Sequence, residues 1–303
     1  MSSSSASDAA APATGGAAER AQGTAARRAE RGGGWVTAAW AAPGLAWLAF
    51  YLVAPLVFIL LVSFWTYEVG VKSGFTTKWT LSNYGVIFHS GTYWHNMLTS
   101  FTTSAIAVVA CLVFGFPIAS FLALKVHSLR NQIALFIIAL APFWTSFLVR
   151  SIAWTYPLSD LTSKVGITTP SNTSVRLALI QLYILFMVTP LFFTLSQVDR
   201  TALEAARDLG GNWWQTFRAV IVPQVMPGVV IGAIFIFVLT MGEYGTVLVV
   251  GQNYIQSVGT IINSYITNAV QYPQGAAAAM LLVLALILGV FAITRFSNLR
   301  EDL

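Results

Sequence analysis

The sequence predicts an all-α membrane protein of six transmembrane helices, with its N- and C-termini cytoplasmic. Three observations carry that expectation. Only 9% of the 303 residues are charged and 56% are hydrophobic, against roughly 25% charged in a soluble domain. The mean hydropathy is +0.72. The few charges are also gathered at intervals, with long uncharged stretches between them. Such a chain cannot cover a water-facing surface with polar groups, but it can face lipid. That excludes soluble α/β enzymes, nucleic-acid binders and disordered adaptors. The net charge of +5 and pI near 9.5 would point to a nucleic acid only in a soluble chain.

Residues 1–34 are Ala, Ser, Gly and Arg with almost no large apolar side chain. They cannot bury enough surface to offset the entropy of ordering, so they read as a disordered cytoplasmic tail. Arg27-Arg28 precedes an apolar run far too long for a cleavable signal, which favours an uncleaved first helix. From there, Asp, Glu, Lys and Arg are absent between Arg31 and Glu68, Lys78 and Lys125, Arg130 and Arg150, and Arg176 and Asp199. They are absent again between Arg218 and Glu243, and between Glu243 and Arg295. Each gap holds a stretch near the roughly 20 apolar residues that cross a bilayer. The expected spans are 37–64, 97–124, 132–154, 177–197, 226–250 and 275–294. They form a six-span membrane domain over 35–295, its core about 97–294, followed by a cytoplasmic C-terminus at 296–303. The last gap is too long for one helix. Its polar, uncharged first part, 251–275, reads as an interfacial or pore-lining segment.

Lys and Arg set the orientation. With the N-terminus inside, Arg20, Arg27, Arg28, Arg31, Lys125, Arg130, Arg200, Arg207, Arg218, Arg295 and Arg300 lie on the inner side. Lys72, Lys78, Arg150, Lys164 and Arg176 lie on the outer side. The single cysteine, Cys111, permits no disulfide within the chain and no cysteine-based metal cluster. His89 and His95 stand in an outer loop without adjacent carboxylates, and zinc wants three or four ligands. The chain lacks a P-loop, a nucleophile elbow and a His-Glu-x-x-His motif. Gly228 and Gly232 make a small-residue face for close helix packing.

The most informative segment is the inner loop, 199–223. Leu203 to Leu209 reads as a short helix with small residues at Ala205 and Ala206. Gly210-Gly211 can adopt positive φ and end it. A second short helix through Trp213-Trp214 is expected to stop near Pro223. The product is a helix-turn-helix elbow with Glu204, Arg207 and Asp208 free for ion pairing, suited to a groove on a partner.

These residues resemble the loop of binding-protein-dependent ABC importer permeases: Glu-Ala-Ala, three residues, Gly, nine residues, then Ile-x-Leu-Pro. Here the run is Glu204-Ala205-Ala206, Gly210, then Val220-Ile221-Val222-Pro223, with Val in place of Ile and Leu. Ala141 to Arg150 with Ala153-Trp154, Gly242-Glu243-Tyr244, and Tyr272 to Ala277 resemble the spermidine/putrescine-type members, as does Gly115 to Ala119. The likeness covers most of residues 60–295. It implies the type I ABC importer permease fold, half of a transmembrane pore in the bacterial inner membrane, and no catalysis by this chain. It implies partners: two copies of an ABC ATPase, a second permease subunit, an extracytoplasmic solute-binding protein, and the surrounding lipid. ATP and Mg would be held by the ATPase, with no cofactor on this chain. In the family the elbow is the element that inserts into the ATPase.

Glu243 lies within the predicted fifth span. An ionised carboxylate there must face a partner, a cavity or water. Three readings stand: a cation-attracting group on the solute path, a structural pair with Arg150 or a partner group, and a protonated neutral acid. Arg150 either snorkels, pairs or touches solute. Trp144 and Trp154 can stack on an amine, or anchor at the interface, and Tyr244 adjoins Glu243 on the same path. The expected cargo is a polyamine. Thiamine, iron, a phosphonate, an opine or a sugar phosphate are the alternatives within the family, and a self-contained secondary carrier is the alternative outside it.

Overall fold

The computed structural model describes residues 40–68, 75–126, 128–164 and 170–301. The expected tail, 1–34, lies outside the described residues. The chain divides into two compact units, one up to Phe58 and one from Ile59 onward. In the first, residues 40–58 belong to helix α1 (Trp40–Ser63), where Tyr51 packs its ring between Trp47 and Phe50.

The second unit opens with an element that hydropathy does not announce. After α1, strands β1 (Trp65–Tyr67) and β2 (Phe75–Trp79) pair antiparallel, with Thr66 opposite Thr76. The short helix α2 (Ser82–His89) follows. Buried Asn83 donates to the carbonyls of Ser63 and Trp65, both at 2.8 Å, and so fixes α2 against the end of α1. A buried amide gains its place only with such partners.

Helix α3 (Gly91–Ser120) begins six residues before the expected second span, because Ser90 caps it by accepting from Tyr93 N. It ends in a π turn, Phe121–Lys125. The third span is not continuous as expected. Helix α4 (Leu129–Leu140) runs into a 3-10 turn, Ala141–Trp144, and then α5 (Phe147–Lys164) leaves at 84°. Pro142 ends the regular hydrogen bonding and Thr145 is extended at ψ 146°. The fourth span is α6 (Asn172–Ser196), opened by a Ser171–Ser174 capping box.

Helices α7 (Arg200–Asp208) and α8 (Trp213–Thr216) form the elbow. The second arm does not stop at Pro223. A π turn, Phe217–Ile221, joins α8 to α9 (Val222–Met241), and one apolar helix runs from Trp213 to Met241. Pro223 comes just after the π turn, whose widened hydrogen-bond register lets the helix continue past its missing N–H. The fifth span also ends earlier than expected. It breaks at Gly242, and the short helix α10 (Gly245–Val250) restarts beyond Tyr244. The polar segment contains α11 (Val258–Thr267), and α12 (Tyr272–Glu301) is the last crossing. Among the described residues five helices are long and apolar enough to cross a membrane, or six if the bent α4–α5 pair is one span.

The core lies where α3, α6 and α9 meet, around Ala107, Cys111, Met187, Val188 and Ile236. A second cluster joins α3, α9, α11 and α12 around Met97, Phe237, Met241 and Val258. Tyr93 ties them by donating to Ala278 O at 2.9 Å. Lipid removes the hydrophobic drive for association, so close packing must hold these helices. At Gly228 a Cβ would meet Pro190 O at 2.8 Å. Gly228→Ala is therefore expected to cost about 1–3 kcal/mol, as overpacking does. Gly85→Ala, where nothing lies within 4 Å, should cost nothing. Thermal unfolding of the two variants in detergent checks this.

Candidate functional site

The elbow is held by local hydrogen bonds. Asp199 Oδ1 accepts from Thr201 N at 2.9 Å and from its hydroxyl at 2.7 Å, which starts α7. The Thr201 hydroxyl, then its N–H, hold the exposed Asp199 carboxyl below the usual carboxylate range. That contribution is complete at neutral pH and is lost as pH falls through the lowered value. Glu204, Ala205 and Asp208 are exposed and Ala206 is half-buried, while the Arg207 side chain lies outside the described residues. Gly210 takes φ +76°. Leu209 N donates to Ala205 O at 3.1 Å and Gly211 N to Ala206 O at 3.0 Å, closing the helix end in a Schellman arrangement. Asn212 then opens α8 through a capping box with Gln215, the reciprocal bonds being 2.8 and 2.9 Å.

This geometry leaves an apolar edge facing outward. Leu209 is 89% exposed and Trp213 is 70% exposed, with Trp214 beside them. Trp213 and Trp214 stack on Phe217, whose ring meets Phe116 of α3 edge-on at 5.5 Å. The platform is thus rooted in the membrane bundle. Pro223 is exposed at its far end. Sequence reading found the turn but missed the Asn212–Gln215 cap, which the Asn-x-x-Gln spacing signals.

The second site is the break between α9 and α10. Glu243 Oε2 accepts from the Tyr183 hydroxyl at 2.6 Å, and Oε1 accepts from Thr246 N at 2.8 Å. A carboxylate at the first turn of α10 satisfies a helix-start N–H and complements the dipole. The Glu243 carbonyl accepts from Ser257 Oγ at 2.8 Å, and Val258 N donates to Ser100 Oγ at 2.9 Å. On the other flank, Ser151 of α5 shares a 3.2 Å hydrogen bond with Thr246. Five helices, α3, α5, α6, α10 and α11, thus meet the break through polar contacts.

Of the three readings of Glu243, the pairing with Arg150 does not form within this chain. Among the described residues the ion pair that forms is Lys164–Asp160, exposed, at 2.7 Å. Glu243 is committed to Tyr183 and Thr246 instead, and Arg150 lies over the Phe143 ring, 5.4 Å from its centroid. Trp144 is 82% exposed and Tyr244 half-exposed, so neither encloses a binding cage within this chain. Tyr183 was missed by sequence reading, since a tyrosine in an apolar span carries no positional signal.

The sequence model of the binding-protein-dependent transport system inner membrane component family matches residues 115–300. The chain belongs to that family: it is a permease subunit of an ABC importer, a non-catalytic inner-membrane component. It is 30% identical over 265 residues to the spermidine/putrescine transport system permease protein PotB of Haemophilus influenzae, covering 84% of this chain and 91% of that one. It is 31% identical over 271 residues to PotB of Escherichia coli K12, covering 84% and 94%. The fold is similar to a chain of a bacterial ABC transporter involved in alginate import, with TM-score 0.60, 16% identity, and coverage of 87% and 95%.

The Glu243 junction predicts an ordered series. Tyr183→Phe strands a shielded carboxylate oxygen and should cost about 1–3 kcal/mol. Glu243→Gln should cost less, because its amide oxygen still serves Thr246 N and the Tyr183 hydroxyl can turn to accept from its NH2. Unfolding midpoints in detergent check the order.

Proposed function

We propose that this chain is one half of the pore of an ATP-driven importer for a polyamine-class cation such as spermidine or putrescine. The carrying observation is its 30–31% identity, over 84% of its length, to two permeases named for that cargo. One local feature supports the choice. Glu243 places a carboxylate between two apolar runs, beside the aromatic rings of Tyr183 and Phe147, and a carboxylate with aromatic faces suits an ammonium group. In this reading Glu243, Tyr244, Trp144 and Arg150 border the solute path once the pore is complete.

The working assembly adds a second permease subunit, two ATPase copies holding ATP and Mg, and an extracytoplasmic binding protein that delivers the solute. The elbow, 199–223, is the ATPase-coupling loop. Glu204 and Asp208 offer charge, Ala205 and Ala206 a close approach, and Leu209 and Trp213 an apolar edge. Closure of the ATPase dimer moves the elbow, and the helices alternate between inward-open and outward-open arrangements. The termini and the elbow face the cytoplasm.

Gly210→Val tests coupling. No atom lies within 4 Å of a Cβ at Gly210, so only the positive φ opposes the side chain. The left-handed conformation costs a side chain roughly 1–2 kcal/mol, and a β-branched residue suffers most. In reconstituted vesicles ATP hydrolysis should persist while uptake falls. Uptake at the wild-type rate would remove the coupling role from the elbow.

Glu243→Gln tests the path. Spermidine uptake should drop by about tenfold or more, equivalent to about 1.4 kcal/mol, with the ATPase still bound. Undiminished uptake would show that the charge has no part in the path.

A further inference from the structure

We propose that Arg150 is the docking contact for an acidic side chain of the second permease subunit, presented on the open face of the bent α4–α5 span. This rests on the reading of the chain as half of a two-permease pore.

Arg150 sits in the first turn of α5, its N–H donating to Ser146 O at 3.1 Å. Its Nε is shielded from solvent and has no hydrogen-bond partner. No carboxylate among the described residues pairs with it. Glu243, two contacts away through Ser151 and Thr246, has both oxygens engaged. The guanidinium cannot escape by deprotonating, and its donors form a fixed planar fork that matches a carboxylate. A shielded, unpaired cation set among apolar side chains of a membrane protein points to a partner outside this chain.

The surface around it indicates where that partner comes from. Helix α4 has no buried residue. On α5, Leu148, Val149 and Ile152 are all exposed, flanking Arg150 with apolar side chains. Apolar side chains there suit lipid, and the shielded arginine set among them is what marks the patch for a protein partner. The side chain is not stretched toward a headgroup, as snorkelling would require. It folds onto Phe143, which itself packs on Phe186 of α6 at 5.1 Å. A cationic solute would be repelled by it. An acid from the partner subunit neutralises it, and leaves Glu243 as the charge that an incoming cation meets.

The test uses the whole importer. The tagged chain is co-expressed with its second permease and ATPase, and the second permease retained in mild detergent is measured for wild type, Arg150→Gln and Arg150→Lys. Arg150→Gln should lose the second permease by about tenfold or more and Arg150→Lys should retain part of it. The unfolding midpoint of the isolated chain should not change, which separates a lost contact from a lost fold. Retention of the second permease by Arg150→Gln overturns the proposal. If that variant retains it yet loses uptake, the anion belongs to the solute. If wild-type retention depends on phosphatidylglycerol in the added lipid, the anion is a headgroup; either result also overturns the proposal. If the wild-type chain itself brings down no second permease, the two-permease reading falls, and this contact with it.

Discussion

A carboxylate carried into a membrane must be supplied with donors, and the way Glu243 obtains them organises the end of the bundle where α9 stops. One oxygen takes the Tyr183 hydroxyl from α6 and the other takes the opening N–H of α10. The second bond requires α9 to stop at Met241 and the chain to turn at Gly242, since in a continuous helix Thr246 N would be bonded within the helix. The broken fifth span is therefore the condition for placing an acid there at all. The same backbone break exposes the Glu243 carbonyl, which Ser257 fills in starting α11. One residue thus meets the end of α9, the start of α10 through its side chain, and the start of α11 through its carbonyl.

Much of this was readable from the residues, and the parts that were not have a common cause. Charge-free intervals between Arg31 and Arg295 gave the number and rough position of the crossings, because a bilayer excludes charge along its whole depth. The breaks at Thr145–Ser146 and Gly242–Tyr244 were invisible to that measure, which averages over a span and does not register an interruption of two or three residues. Proline is no better guide here: Pro117, Pro190 and Pro227 lie inside helices that continue through them, while Pro142 begins a turn. Neighbouring helices and local widening of the hydrogen-bond register decide which prolines interrupt.

The site residues divide along the same line. Gly210 was legible because the positive φ that ends α7 is a local demand, and local demands are written in local sequence. Pro223 misled because the π turn upstream of it, Phe217–Ile221, is not. The Tyr183–Glu243 bond joins residues 60 apart on different helices, and nothing in either segment marks the other. Arg150 shows the reverse: the sequence suggested a partner within the chain, and the partner it suggested is already taken.

The uninterrupted helix from Trp213 to Met241 joins the two sites mechanically. At 1.5 Å per residue it is roughly 43 Å long, with the aromatic platform at one end and the acidic break at the other. Hydrogen-bonded helices resist axial compression, so in the proposed coupling role this helix is the route by which a shift at Trp213 would reach Gly242. The π turn lies within a turn or two of the platform, and Pro223 and Pro227 follow it on the way to Gly242. Its far end lies where α10, α11 and Tyr183 converge on one residue, Glu243.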